Sequence, residues 1–184
     1  ASAQGAMNNG WTHEGTISPV GDSDSWTFSA NAGDSIVIRV GEITTLSGTF
    51  TPRIRLNNPL GGQQATASSA VASEIVVTAT NTGTFTVIVD VAAGTATGTY
   101  RLTLAKSPGA IIVAPGDEGG PLTNGVDYIG NFLPPGDLDV WTFNALAGES
   151  IVLKAGQMTD TNNFDPWIRV YGPTGILLGS VTDV

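Results

Sequence analysis

The sequence predicts an all-β protein: tandem antiparallel β-sandwich modules of jelly-roll type, the second incomplete. Three observations predict it. Apolar residues alternate with polar ones at a period of two, the pattern of strands with one buried face. Glycine, proline, asparagine and aspartate punctuate those runs, and the chain is rich in glycine (24 residues) but only 12% charged, a composition that favours strands and turns over helices. Finally, GDSDSWTFSANAGDSIVIRVGE, Gly21 to Glu42, returns as GDLDVWTFNALAGESIVLKAGQ, Gly136 to Gln157.

Taken in order, a short run near Gly15 to Ser18 opens the first copy. Trp26, Phe28 and Ala30 then share one side of a strand, and Ile36, Ile38 and Val40 share one side of the next. Ile54 with Leu56, Ile75 with Val77 and Ala79, Phe85 with Val87 and Val89, and Tyr100 with Leu102 and Leu104 repeat the pattern. Turn residues mark joints at 31–34, 57–62, 81–83 and 94–98. About seven short strands in roughly 100 residues predict two stacked sheets, with a closed barrel as the alternative.

The match between copies runs at an offset of 115 residues, pairing Asn9 and Gly10 with Asn124 and Gly125, and Gly15 with Gly130. After the loop at Thr44 to Thr49 it runs at 114, pairing Phe50, Pro52, Ile54 and Arg55 with Phe164, Pro166, Ile168 and Arg169. Pro59 and Gly61 likewise match Pro173 and Gly175. The expected organisation is a first β-sandwich over 1–107, a semi-rigid linker over 108–120 and a second sandwich over 121–184. That second copy stops before counterparts of EIVVTAT, GTFTVIVD and GTYRLTLA. A sandwich without its last three strands exposes sheet edges and one side of its core. Continuation of the chain past Val184, or strands from another subunit by β-augmentation, is therefore expected to complete it.

There is no cysteine for disulfides or thiolate metal sites, and no apolar stretch approaches the roughly 20 residues that span a bilayer. The net charge of −9 is unevenly shared, −2 over 1–107 and −7 over 108–184. A surface of that sign repels phosphate backbones and attracts cations, so nucleic acid is not an expected partner.

A residue that recurs in both copies serves packing or ligation more readily than catalysis. Asp22 and Asp24 recur as Asp137 and Asp139, and carboxylates at i and i+2 of an extended chain face the same way. Two readings are open: hard oxygen ligands for calcium, or an Asx turn with a second acid holding backbone amides. Trp26 and Trp141 lie on apolar faces and read as core anchors. Trp167 stands where the first copy has Arg53 and is expected to point outward; Trp11 matches Val126. Both are candidate ligand-binding residues, with an isolated exposed tryptophan as the plainer alternative. Arg39 (matched by Lys154), Arg55 and Arg169 are expected on the outer face, paired across strands with acids such as Glu42. The one histidine, His13, is matched by Tyr128, and no HExxH, nucleophile-elbow or phosphate-loop pattern occurs. The chain therefore reads as non-enzymatic.

The segments GTISPVGDSDSWTFSANAGDSIVIRV, FTPRIRLNNPLG, EIVVTATNTGTFTVIV and GTYRLTLA resemble the bacterial pre-peptidase C-terminal (PPC) domain family. The resemblance covers Asn9 to Ala105, and again Asn124 to Val184. It implies non-catalytic β-sandwich modules of secreted or cell-surface bacterial proteins, attached to peptidases or arrayed in tandem. Some members bind calcium, and some bind collagen or glycans. In the calcium-binding relatives the preceding linker supplies further acids, which in the second copy are Asp117 and Glu118; the first copy has Ser2 and Ala3 there. Two classes of function follow: a structural or adhesive repeat of a larger surface or filament-forming protein, or an accessory module that delivers an attached hydrolase to glycan or protein.

Overall fold

Nine strands from the first copy lie in two hydrogen-bonded sheets. They are β1 (Gln4–Ala6), β2 (Thr12–Ile17), β3 (Asp24–Ala30), β4 (Ser35–Ser47), β5 (Pro52–Asn57), β6 (Gln63–Ser68), β7 (Ala72–Thr78), β8 (Gly83–Val91) and β9 (Thr97–Ser107). The structure is a computed structural model that describes residues 4–158 and 164–182. One sheet has the order β1-β3-β8-β5-β6, the other β2-β9-β4-β7. All pairs are antiparallel except β1 with β3.

The alternation dictates which side chains meet between the layers. Trp26, Phe28, Ile54, Leu56, Phe85, Val87 and Val89 face inward from the first sheet. Ile36, Ile38, Val40, Ile75, Leu102 and Leu104 face them from the second. Each of these is less than a tenth exposed, and every buried member of this core comes from the first copy. Two sheets with separate ladders make a sandwich, not a closed barrel.

The sequence reading finds seven of these nine strands. β1 is three residues long and parallel, too short to show a period. In β6, QQATAS, the inward residues are Ala65 and Ala67, whose small side chains weaken the apolar signal.

The second copy supplies four short strands among the described residues: β10 (Gly119–Pro121), β11 (Val140–Thr142), β12 (Ile168–Tyr171) and β13 (Leu177–Val181). β10 takes the last two residues of the span expected as linker. β10 pairs parallel with β11 as β1 does with β3, and β12 pairs antiparallel with β13 as β5 does with β6. Residues 150–155, which match the core of β4, form no ladder. The cause is topological. In the first copy β4 lies between β9 and β7, and β8 joins β3 to β5; these 184 residues hold no second counterpart of β7, β8 or β9. Only pairings between segments that are present survive. Ile151, Leu153, Ile168 and Val170, which match Ile36, Ile38, Ile54 and Leu56, line an open apolar groove of 280 Å³ instead of a closed core.

Between the copies the chain folds back on the first sandwich. Asn9 fixes it, accepting from Lys106 N (2.6 Å) and Ile112 N (2.8 Å) and donating to Lys106 O (2.7 Å) and Ala110 O (3.2 Å). Gly10, φ +82°, lies under Ile111 and Ile112 so closely that a Cβ there would overlap the Ile111 side chain. The matched glycine thus serves a close approach.

Candidate functional site

The recurring aspartates do different things in the two copies. Asp22 accepts from Ser18 N (3.4 Å) and Ser23 N (2.9 Å); Asp137 repeats this with Leu133 N (3.1 Å) and Leu138 N (3.0 Å). Each therefore closes the turn that the matched Gly21 (φ 84°) and Gly136 (φ 89°) make, in a left-handed conformation that glycine adopts without strain.

Asp24 is fully buried and accepts a hydrogen bond from the Tyr100 hydroxyl (2.6 Å). That hydroxyl in turn accepts from Trp26 Nε1 (2.9 Å), so a chain of donors runs from the core tryptophan to the acid. Burial, and then the bond to Asp24, push the Tyr100 phenol well above its ordinary range. Gly15 makes room for the group, since a Cβ there would overlap Tyr100 and approach Asp24 Oδ2 to 2.7 Å. His13 packs against Trp26 with ring centroids 5.0 Å apart and the rings tilted by 49°, and burial lowers its pKa.

The second copy keeps the acid, the glycine and the tryptophan but has no counterpart of Tyr100. Trp141 is half-buried and meets Tyr128 at 5.0 Å, in the way Trp26 meets His13. Asp139 Oδ2 lies where a Cβ on Gly130 would come within 2.6 Å, and its Oδ1 is buried without a hydrogen-bond partner. Asp117, Asp137 and Asp139 each offer a carboxylate oxygen, all within 4.8 Å of one another. Asp117 also accepts from Thr12 Oγ1 of the first copy (2.8 Å), and Glu118 accepts from Asn131 Nδ2 (3.4 Å). Burial lifts the Asp139 carboxyl to about 7, with the charges of Asp137, Glu118 and Asp117 adding to the rise. Burial also raises Asp137, against the opposing pull of Arg101.

Of the six acids named from the sequence, three converge in this cluster: Asp117, Asp137 and Asp139. Glu118 borders it electrostatically, whereas Asp22 serves its turn and Asp24 its tyrosine. Ser2 and Ala3, the first-copy counterparts of the linker acids, lie outside the described residues. An orphaned buried carboxylate oxygen beside two more carboxylates is a donor set suited to a hard divalent cation such as calcium.

The same turn of the second copy meets the outer face of β4 and β9. Pro135 and Gly136 press on Gly41 so tightly that a Cβ on Gly41 would overlap Pro135 O. Arg39 Nη1 donates to Asp137 O (3.0 Å), and Arg101 Nη1 donates to Leu133 O (2.7 Å) while lying 3.2 Å from Asp137 Oδ1. Arg169 forks onto Glu74 through two bonds of 2.8 and 2.6 Å, and Ser35 Oγ donates to Gly175 O (2.5 Å). Val37 and Thr103 point away from the core yet are 3% and 0% exposed, on the face where Ser35, Arg39, Gly41 and Arg101 meet the second copy. Nothing in the sequence signals this contact except the outward valine in a row of polar residues.

The arginines pair across strands with acids other than Glu42. Arg39 lies opposite Glu74 in the ladder with Nε 3.6 Å from its carboxylate, and Arg53 and Arg55 both bond Asp90 at 2.7 Å. Glu42 instead accepts from Thr45. The reason is register: Glu42 faces Tyr100 across β4–β9. Trp167 is 49% exposed, donates to Ser180 Oγ (2.7 Å) and carries the Arg169 guanidinium 4.4 Å over its ring. Trp11 is half-buried just before β2.

No family model matches this chain, and no curated protein matches it. Solved structures do. The chain is similar to the pre-peptidase C-terminal domain of a collagenase from Bacillus anthracis, with 16% identity and a TM-score of 0.41, over 56% of this chain and 96% of that one. It is also similar to PliG, a periplasmic inhibitor of g-type lysozyme, from Aeromonas hydrophila (10% identity, TM-score 0.40, 56% of this chain and 99% of that one). PliG of Salmonella Typhimurium gives 12% identity and a TM-score of 0.40, over 58% of this chain and 100% of that one.

Proposed function

We propose that this chain is a non-catalytic structural or adhesive section of a larger secreted or cell-surface bacterial protein, built from tandem PPC-type modules and stiffened where they join. One observation carries the reading: the recurring turn of the second copy, Leu133 to Asp137, is seated on the outer sheet face of the first through Gly41, Arg39 and Arg101. Backbone-to-backbone contact and buried outward residues hold two modules at a fixed angle, as stacked repeats require.

Calcium belongs to the same reading. Asp117 comes from the linker, Asp137 and Asp139 from the second copy, and Thr12 and Arg101 tie two of these acids to the first. A divalent ion bound there offsets three clustered carboxylates and clamps linker and module together. The open groove beside β12 fits completion of the second sandwich by a further strand, from the continuing chain or a neighbouring subunit.

The test is nuclear spin relaxation of the whole chain. A stiff joint gives backbone amides of both copies one rotational correlation time, and Gly41→Arg separates them into two. Independent tumbling of the unaltered chain overturns the proposal. A delivery module for a hydrolase is the second reading, favoured by the exposed face of Trp167. Binding on a glycan or collagen array that is lost in Trp167→Ala supports it.

A further inference from the structure

The strap between the copies stores chain length. Ser107 ends β9, and residues 108–117 then double back, so that Asp117 accepts a hydrogen bond from Thr12 Oγ1 (2.8 Å) while Thr12 faces Thr103 in the β2–β9 ladder. The chain from Thr103 to Asp117 thus begins and ends beside one residue. Asn9 makes the reversal. It bonds Lys106 at the end of β9 and both Ala110 and Ile112 on the returning strap, where Ile111 closes onto Gly10. Ten residues extend to at most ~3.3–3.6 Å each, so the strap holds roughly 35 Å of slack.

The bonds that hold this slack differ in kind from those that hold the sandwich. β9 is paired along its length, with β2 on one side and β4 on the other. Among the described residues no sheet contains strands of both copies. What joins strap and second copy to the first is a set of separate bonds that use side chains, such as Thr12 to Asp117 and Arg39 to the Asp137 carbonyl. Tension between the copies enters the strap at its far end and meets those bonds one after another. To move β9 it must break two ladders together.

We infer that the strap over 108–117 is a tension-yielding coupling: under load along the chain the second copy lifts from the first and the strap unreels while the first sandwich stays folded. The inference rests on the repeat reading proposed above and adds how its joint behaves under load. A surface protein built with such joints is stiff at rest and lengthens without opening its cores. The order of events follows from local stability, since a segment held by few bonds opens at lower free energy than strands inside a sheet.

Single-molecule force spectroscopy tests this. The chain has no cysteine, so Leu60→Cys and Asn124→Cys, both at exposed positions, give two unique handles with the strap between them. A reversible lengthening of about 35 Å is expected first, followed at higher force by a roughly fivefold longer one as the 47 residues from 60 to the end of β9 unravel. Asn9→Ala with Thr12→Val removes side-chain bonds at both ends of the strap; circular dichroism verifies its fold, and it is expected to lower the force of the short step only. Amide exchange of the unaltered chain without load gives an independent reading. The Ile112 amide, bonded to Asn9 O, is expected to exchange faster than those in the middle of β9. A sandwich that opens with no earlier step, a short step whose force the paired substitutions leave unchanged, or an Ile112 amide as protected as β9 overturns the inference. The absence of the short step does so even where the two copies tumble as one body, in which case the repeat reading stands.

Discussion

Asp139→Asn is the perturbation that separates a cation site from a chance gathering of acids. The Asp139 carboxyl is lifted to about 7 by burial and by the charges of Asp137, Glu118 and Asp117. An unperturbed aspartate titrates near 4. Because the folded-state value is the higher one, the folded chain holds this proton more tightly than the unfolded chain does. The stability this proton contributes is then fully present below about pH 4 and is lost as pH rises through about 7, by less than the shift alone implies because solvent reaches part of the cluster and screens it. Calcium requires the carboxylate, so at pH 7 it must expel the proton that about half the molecules carry. Isothermal titration of calcium in buffers of different ionisation enthalpy is expected to report release of roughly half a proton at pH 7, approaching zero about two pH units higher. The same addition raises the melting temperature, with a stabilisation of about 2.7 kcal/mol at a hundredfold excess over Kd. Asp139→Asn reduces the proton release to what the raised Asp137 carboxyl contributes, flattens the fall in stability between pH 4 and 7, and weakens calcium binding. Calcium that neither binds nor shifts the melting temperature, or proton release in the variant equal to that of the unaltered chain, contradicts a cation site here.

Other consequences follow from the same geometry. Tyr100→Phe removes the donor to the buried Asp24 and the acceptor of Trp26 Nε1, and is expected to cost about 1–3 kcal/mol in urea unfolding. Gly15→Ala forces a Cβ into Tyr100 and Asp24, so its unfolding midpoint is expected to fall well below that of an exposed Gly94→Ala control corrected for its own φ of 67°. Glu74→Gln weakens the fork with Arg169 and the pair with Arg39, lowering the melting temperature in low salt and less so in high salt, as differential scanning fluorimetry would register.

The first sandwich was legible because its strands carry large apolar residues at strict alternation, and each of those side chains lies in the core. β6 was not, because alanines at its inward positions carry little hydropathy. The second copy shows the limit of reading by homology of segments: residues 150–155 repeat the β4 pattern, yet a strand needs neighbours, and those lie in β7 and β9, which the second copy does not supply. The acid pairs were visible as a recurring motif, but their divergence was not. It depends on Tyr100, 76 residues away from Asp24, reaching one aspartate and having no counterpart beside the other. The docking face was hidden for a related reason, since Arg39 and Arg101 bond backbone carbonyls of the other copy, 98 and 32 positions away.

The contact between the two copies is read most directly in the proton nuclear Overhauser spectrum of the intact chain at Gly41 and Gly136. Backbone atoms of these glycines approach so closely that a Cβ on Gly136 would lie 2.8 Å from the Gly41 Cα. A strong cross-peak between their α protons is expected, lost in Arg39→Ala with Arg101→Ala, which releases the turn. A chain with the first sandwich intact and no such cross-peak contradicts the claim that the two copies are joined face to turn.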